Sequence, residues 1–210
     1  MNQNNGKNTL GLDICFEELD NHIDLFKKWF DKAKETEIND PNATALATAS
    51  LNNQPSVRMV LLKGLSDEGF VFYTNFNSKK GKDLKLNQLA SMCFHWKSLR
   101  RQVRIIGSVK KVSDKEADKY YNSRSYDSRI SAWASSQSEA MKSREMLIKK
   151  INEFKIKYPN KDDVPRPPHW SGWRIEPKEI EFWLDGEFRV HERLNYIKKN
   201  DDWIKEILYP

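Results

Sequence analysis

The feature that most constrains this chain is a series of short runs rich in β-branched and aromatic residues, most of them joined by short connections. Ser56-Val57-Arg58-Met59-Val60-Leu61-Leu62-Lys63 is followed by the polar turn Asp67-Glu68-Gly69 and by Phe70-Val71-Phe72-Tyr73-Thr74-Asn75. Two such runs about a Gly-containing turn predict a hairpin. A small-residue strand from Thr44 to Ser50 leads into it through Asn52-Asn53-Gln54-Pro55, and Ala90 to Trp96 and Gln102 to Val112 read as two more strands. Near the end of the chain, strands are expected over Gly172 to Glu176, Glu179 to Leu184 and Phe188 to Ile197, with Trp203 to Leu208 as a fourth. Asp185-Gly186 carries a hairpin-turn signature. Successive strands of this kind form an antiparallel sheet closed into a barrel, so the fold class is mainly β with flanking helices (α+β).

Helices fill the gaps. Leu19, Ile23, Phe26, Phe30 and Ala33 recur at helical spacing and predict an amphipathic helix ending before Asp40-Pro41. Ser78 is a helix N-cap, and Ser113 with Glu116 is a capping box that opens a helix from about Asp114 to Ser123. Ser123 to Ser128 reads as a polar loop. Ser136 with Glu139 makes a second capping box, which places Gln137 and Ser138 in the first turn of a long helix with Leu147, Ile151, Phe154 and Tyr158 on its buried face. Residues 1–12 are Asn-rich, with almost no large apolar groups, and are expected to be mobile; residues 13–210 are expected to form a single domain.

Charge placement points to anions. Lys79, Lys80 and Lys82 crowd the start of the Ser78-capped helix, where the partial positive charge of the backbone normally attracts Asp or Glu. An anion lying between the lysines and the free backbone N–H groups resolves the conflict, as does bending of the lysines into water. Arg58 and Lys63, embedded in an apolar run, favour the anion, and their opposite parity along a strand turns them to different sides. Arg124 sits among the hydroxyls of Ser123 to Ser128, a group of donors suited to phosphate. On a regular strand Arg189, His191 and Arg193 would share one face. A two-residue turn at Asp185-Gly186 would put Trp183 opposite Arg189, whereas a three-residue loop with a bulge would bring them together.

The formal charge of +6, from 36 basic and 30 acidic residues, suits phosphorylated small molecules, nucleic acid or an acidic membrane surface. Dispersal of the basic residues without a long block weighs against nucleic acid. Cys15 and Cys93 lack metal-ligand spacing, so no metal is expected and the expected setting is a reducing cytoplasm. No apolar run is long enough to span a bilayer, so no membrane partner is expected.

These residues together resemble the pyridoxamine 5′-phosphate oxidase family. The run Ile180-Glu181-Phe182-Trp183 followed by Arg189-Val190-His191-Glu192-Arg193 is the most specific motif. Arg58 to Lys63, Tyr73-Thr74-Asn75, Arg101-Gln102-Val103-Arg104, Trp133-Ala134-Ser135 with Gln137-Ser138, and Pro165-Arg166-Pro167-Pro168-His169-Trp170 support it in unbroken order over residues 11–210. The resemblance implies an FMN-binding split β-barrel that forms a homodimer with FMN at the subunit interface. It implies oxidation of pyridoxamine or pyridoxine 5′-phosphate to pyridoxal 5′-phosphate, with hydride passing to flavin N5 and dioxygen leaving as hydrogen peroxide.

By position, the implied FMN site comprises Arg58, Met59, Val60, Leu61, Leu62, Lys63, Tyr73, Thr74, Lys79, Lys80, Gln102, Gln137, Ser138, Trp183 and Arg193. Lys63, Tyr120, Arg124 and Ser128 would grip the substrate phosphate, with Arg189 and His191 against the pyridine ring as the catalytic pair. Arg189 stays protonated, so its implied role is orientation and field; His191 is suited either to accepting a proton or to positioning the ring. Three departures stand out. Lys79 replaces a usual Arg, Ser125-Tyr126 replaces a Pro after Arg124, and the Arg and Tyr of an N-terminal lid have no match in residues 1–12. The alternatives are another flavin-binding split-barrel oxidoreductase and a basic RNA-binding module, which would be colourless and bind polynucleotide with steep salt dependence.

Overall fold

The computed structural model describes residues 21–200 and 202–210. The expectations for residues 1–12 and for Leu19 fall outside that range. The first helix, α1 (His22–Thr36), starts where the Asn21 side chain accepts from the Ile23 N–H at 2.8 Å. It ends as the Glu37 N–H bonds the Ala33 carbonyl, before Asp40-Pro41. Its buried face includes Ile23, Phe26 and Ala33 as expected, together with Leu25 and Trp29.

Nine strands form one antiparallel sheet among the described residues: β1 (Ala43–Ala49), β2 (Pro55–Leu61), β3 (Gly64–Ser66), β4 (Gly69–Asn75), β5 (Leu89–Trp96), β6 (Arg101–Lys111), β7 (Trp170–Leu184), β8 (Glu192–Lys199) and β9 (Asp202–Ile207). The order is β2-β1-β5-β6-β7-β4-β3, with β8 paired to β7 and β9 to β8. The curled sheet is a split barrel.

The hairpin turn at Asp67-Glu68-Gly69 is where it was expected, but its first arm is β3 rather than the Ser56–Lys63 run. That run breaks at Leu62, which turns into the core; the Leu62 N–H bonds the Asn42 carbonyl, while the Lys63 N–H bonds the Val71 carbonyl. Pairing thus switches from β1 to β4 within two residues, and β2 pairs with β1 alone. Gly69 closes the turn at φ 131°, where a Cβ would lie 2.0 Å from the Ile175 carbonyl oxygen, so only glycine fits.

Two expected strands near the end of the chain are one. β7 runs through Pro177, with a register shift between Ile106 and Gly107 on β6 that absorbs the missing N–H of the proline. The expected Phe188–Ile197 strand begins only at Glu192, because Glu187–Arg189 forms a 3-10 turn with Phe188 and Arg189 at φ 55° and 64°. Alternation therefore relates Arg193 alone to the sheet, and the connection after Leu184 is neither of the short turns expected at Asp185-Gly186.

The remaining helices are α2 (Lys79–Leu86), α3 (Asp114–Asn122), α4 (Tyr126–Ala134) and α5 (Arg144–Lys157). Ser78 and Ser113 cap α2 and α3 as expected. The polar Ser123–Ser128 stretch is a loop only at its start, since Ser125 caps α4 by accepting from the Ser128 N–H. In contrast, α5 starts later than the Ser136/Glu139 pattern suggests. Ser138 adopts φ 72°, and both Gln137 and Ser138 lie in a turn before the helix. Leu147, Ile151, Phe154 and Tyr158 do share one face, but they are half-buried.

Aromatic packing ties α1 to the sheet. Phe26 meets Phe70 edge-on at 4.9 Å and Phe94 at 5.2 Å, and Trp29 meets Phe182 at 5.3 Å, all fully buried. Phe26→Ala should lower unfolding stability by about 3–5 kcal/mol, read as a shift in the urea midpoint.

Candidate active site

The N-terminus of α2 is where the charge conflict in the sequence is settled. Ser78 Oγ accepts from the Gly81 N–H at 3.3 Å. Lys79 points outward and pairs with Asp83 at 3.1 Å, whereas Lys80 turns inward and is only 8% exposed. Its ammonium donates to Thr74 Oγ1 at 3.2 Å, Ser78 Oγ at 3.4 Å and Gln137 Oε1 at 3.3 Å, all neutral acceptors. Arg58 is similar, donating to the Leu46 carbonyl at 3.1 Å, Thr48 Oγ1 at 2.7 Å and Ser56 Oγ at 2.6 Å. Burial lowers the pKa of both groups, and the charge of Arg58 lowers Lys80 further. Two neighbouring cations whose direct partners are all neutral are matched to an anion.

The adjoining cavity, about 370 Å³, is lined by Met59, Val60, Leu61, Lys63, Tyr73, Thr74, Lys80, Tyr120, Arg124 and Gln137, with Asn75, Ser131, Ala132, Ser135 and Trp170. Tyr73 stacks on Tyr120 at 4.0 Å and on Trp170 at 5.3 Å. The Arg124 guanidinium lies over the Trp170 ring at 4.8 Å, and its buried Nη1 has no hydrogen-bond partner. A donor held in that way at a cavity wall suits a second anion. Burial lowers the pKa of Arg124, raises that of Tyr120, and pushes Tyr73 up to about 12.

Several predicted residues lie outside this lining. Leu62 is core, Ser128 sits in the first turn of α4, and Ser138 lines a neighbouring hollow of about 450 Å³ with Met141 and Leu147. Gln102, Trp183 and Arg193 occupy facing positions across β6, β7 and β8, and His191 packs on Trp183 at 4.6 Å. These residues form a second cluster, none of it in the cavity wall. The exposed Arg189 belongs to the loop beside them. Arg193 is fixed by Glu181, which accepts from its Nε at 2.8 Å and Nη2 at 3.1 Å and also pairs with Arg104. Burial alone would raise the Glu181 carboxyl, but the two arginines hold it below its ordinary value.

Sequence reasoning missed Asp83, Thr48, Ser56, Trp170 and Glu181 as parts of the site. Asp83 had a signal, four residues after Lys79 on one helix face. Glu181 is two residues before Trp183 and so on the same strand face. Thr48 had none until its register opposite Ser56 was known.

Residues 30–158 match the family described as pyridoxamine 5′-phosphate oxidase, and residues 170–210 match the pyridoxine 5′-phosphate oxidase C-terminal dimerisation region. The pyridoxine/pyridoxamine 5′-phosphate oxidase of Pelagibacter ubique is 61% identical over 207 residues, covering 98% of this chain and 100% of that protein. The enzyme of the same name from Agrobacterium fabrum is 52% identical, covering 93% of this chain and 95% of its own. Among solved structures, PhzG from Burkholderia lata, in complex with tetrahydrophenazine-1-carboxylic acid, superposes with a TM-score of 0.90 at 31% identity, covering 98% and 100% of the two chains. An FMN-binding protein from Nostoc punctiforme shares the fold, with a TM-score of 0.71 at 16% identity over 88% of this chain and 96% of its own.

The buried tyrosines predict alkaline behaviour. Tyr73 moves from its ordinary 10.0 to about 12, so above pH 10 the unfolded chain ionises this phenol and the folded chain does not. Stability from this group should be intact below that point and fall as pH rises toward 12. Absorbance titration of tyrosinate should show a late-titrating fraction that is lost in denaturant.

Proposed function

This chain belongs to the pyridoxamine 5′-phosphate oxidase family, and on that premise we propose that it oxidises pyridoxamine and pyridoxine 5′-phosphate to pyridoxal 5′-phosphate. FMN is the cofactor, dioxygen the electron acceptor and hydrogen peroxide the product. The observation that carries this is the cavity itself: Lys80, next to Arg58, has only neutral partners at one side, and Arg124 has a buried, unpartnered nitrogen at another. Two anion-matched positions fit one flavin phosphate and one substrate phosphate. Bound FMN supplies a two-electron acceptor, and the protein supplies position and field.

Arg58 and Lys80, with Lys79 and Ser138, would hold the FMN phosphate. Thr74 and Gln137 would fix Lys80, and the Met59–Lys63 segment and Tyr73 would lie along the flavin. Lys79 offers a single point contact where the family commonly has the arginine fork. Lys63, Tyr120, Arg124 and Ser128 would bind the substrate phosphate. Gln102, Trp183 and Arg193 would complete the flavin site, and Arg189 with His191 would meet the pyridine ring.

The protein is a homodimer through its C-terminal region, and we assign the second cluster to the site of the other subunit. Trp170 lies in the cavity wall and Trp183 in the second cluster, on one strand. They stand at opposite ends of β7, and none of the second cluster lines the cavity of its own subunit. His191 Nδ1 lies 3.2 Å from both the Gly186 nitrogen and Asp185 Oδ1, and the ring packs on Trp183 at 4.6 Å, so its orientation is fixed. A ring held in this way suits positioning of the pyridine ring. Residues 13–210 would then act as one FMN-binding domain. No described helix is long and apolar enough to cross a membrane, and we place the enzyme in the cytoplasm, where Cys93 stays a free thiol.

The purified protein should be yellow, release FMN on denaturation and produce peroxide when pyridoxamine 5′-phosphate is added. A flavin-free preparation that also fails to take up added FMN would sink the assignment. Arg189→Met should lower kcat/KM by about a hundredfold while leaving FMN affinity within about twofold; equal losses would undo its orienting role.

A further inference from the structure

Asp83 is a carboxylate in an unexpected place. It is 5% exposed, close to Arg58 and Lys79 beside the anion-matched end of the cavity, where its charge would repel a phosphate. Its contacts offer a reason. Oδ2 accepts from Thr48 Oγ1 at 2.9 Å and from Ser56 Oγ at 3.2 Å, and Lys79 Nζ lies 3.1 Å from each carboxylate oxygen. The same two hydroxyls receive the two terminal nitrogens of Arg58, Nη1 on Thr48 at 2.7 Å and Nη2 on Ser56 at 2.6 Å.

A hydroxyl has one proton to give. By accepting from Arg58, each hydroxyl directs that proton to Asp83, so the guanidinium fork is tied through two parallel relays to one carboxylate oxygen. The register makes this geometry possible: Thr48 faces Ser56 across β1 and β2, and Arg58 follows two residues later on the same face. Burial alone would raise the Asp83 carboxyl, but the hydrogen bonds from Thr48, Lys79 and Ser56 hold it below its ordinary value, so it is ionised at neutral pH. Without the carboxylate, the hydroxyls, 3.2 Å apart, would be free to bond each other and Arg58 would lose its fixed partners.

We propose that Asp83 is a positioning residue for the anion site, holding the Arg58 guanidinium through Thr48 and Ser56 in the pose that meets the phosphate of the cofactor. Asp83 would act through these hydroxyls, its own hydrogen bonds being taken up by Thr48, Ser56 and Lys79. This rests on the FMN assignment above and adds a residue that acts through another.

Charge alone and positioning predict opposite signs. Replacing Asp83 with Asn removes a negative charge and frees Lys79, so a bystander carboxylate would give tighter FMN binding. A positioning role gives weaker binding, confined to the phosphate. The test titrates the full-length apoprotein, wild type and Asp83→Asn, with FMN and with riboflavin, which lacks the phosphate. We expect the FMN Kd to rise about tenfold or more while the riboflavin Kd stays within about twofold. The double variant Thr48→Val, Ser56→Ala, which keeps the carboxylate, should show the same selective loss. Unchanged or tighter FMN binding in Asp83→Asn, or equal loss of both ligands, overturns the proposal. If circular dichroism shows that Asp83→Asn does not fold, the double variant decides by the same criteria. Failure of the wild type to bind FMN would instead remove the cofactor assignment, and the positioning role with it.

Discussion

One strand with two edges serving three partners sets the architecture. β7 hydrogen-bonds β6 along its length, and on its other edge it pairs β4 through residues 170–175 and β8 through residues 179–184. A backbone edge can satisfy only one neighbour at a time, so β4 and β8 must diverge. The break falls at Pro177, which has no N–H to offer, opposite Gly107, where any Cβ would lie 2.0 Å from the Glu176 carbonyl. Tyr73 and Thr74 leave with β4, and Arg193 leaves with β8. The two groups of functional side chains are therefore separated by the same constraint that splits the barrel.

The two groups handle buried charge differently. In the C-terminal cluster Glu181 is 2% exposed and directly bonded to Arg193, with Arg104 alongside, so the arginine is held by an ion pair. At the start of α2, Lys80 and Arg58 meet only hydroxyls, a backbone carbonyl and an amide, and the carboxylate of Asp83 reaches Arg58 only at second hand. A direct pair would neutralise these cations and blunt their attraction for phosphate. Holding them with neutral groups keeps the field while fixing the geometry, at a cost in desolvation.

Local signals carried much of this. Ser78 and Ser113 cap helices where the chain placed them, and Gly69 closes the hairpin turn, but the break at Leu62 takes Lys63 off the strand that carries Arg58, so alternation does not relate the two. Where reasoning from sequence went astray, two local patterns were equally good. Ser125 and Ser128 read as loop hydroxyls, although Ser125 caps a helix that buries Ile130 and Ala134. Ser136 and Glu139 satisfied the capping pattern, but the chain turns at Ser138 and α5 waits until Arg144.

Composition and spacing by themselves determined many of the elements, the anion-seeking charge and the residues that resemble a flavoenzyme, because caps, turns and alternation act over a few residues. They did not determine which strand pairs with which, since any β-rich run offers the same backbone groups to any neighbour. Only the folded sheet decided that β2 pairs with β1, that Thr48 stands across from Ser56, that Lys80 turns in while Lys79 turns out, and that Arg189 leaves the sheet on a loop. Those outcomes depend on contacts between residues distant in the chain, where packing and hydrogen-bond satisfaction over the whole sheet override local preference.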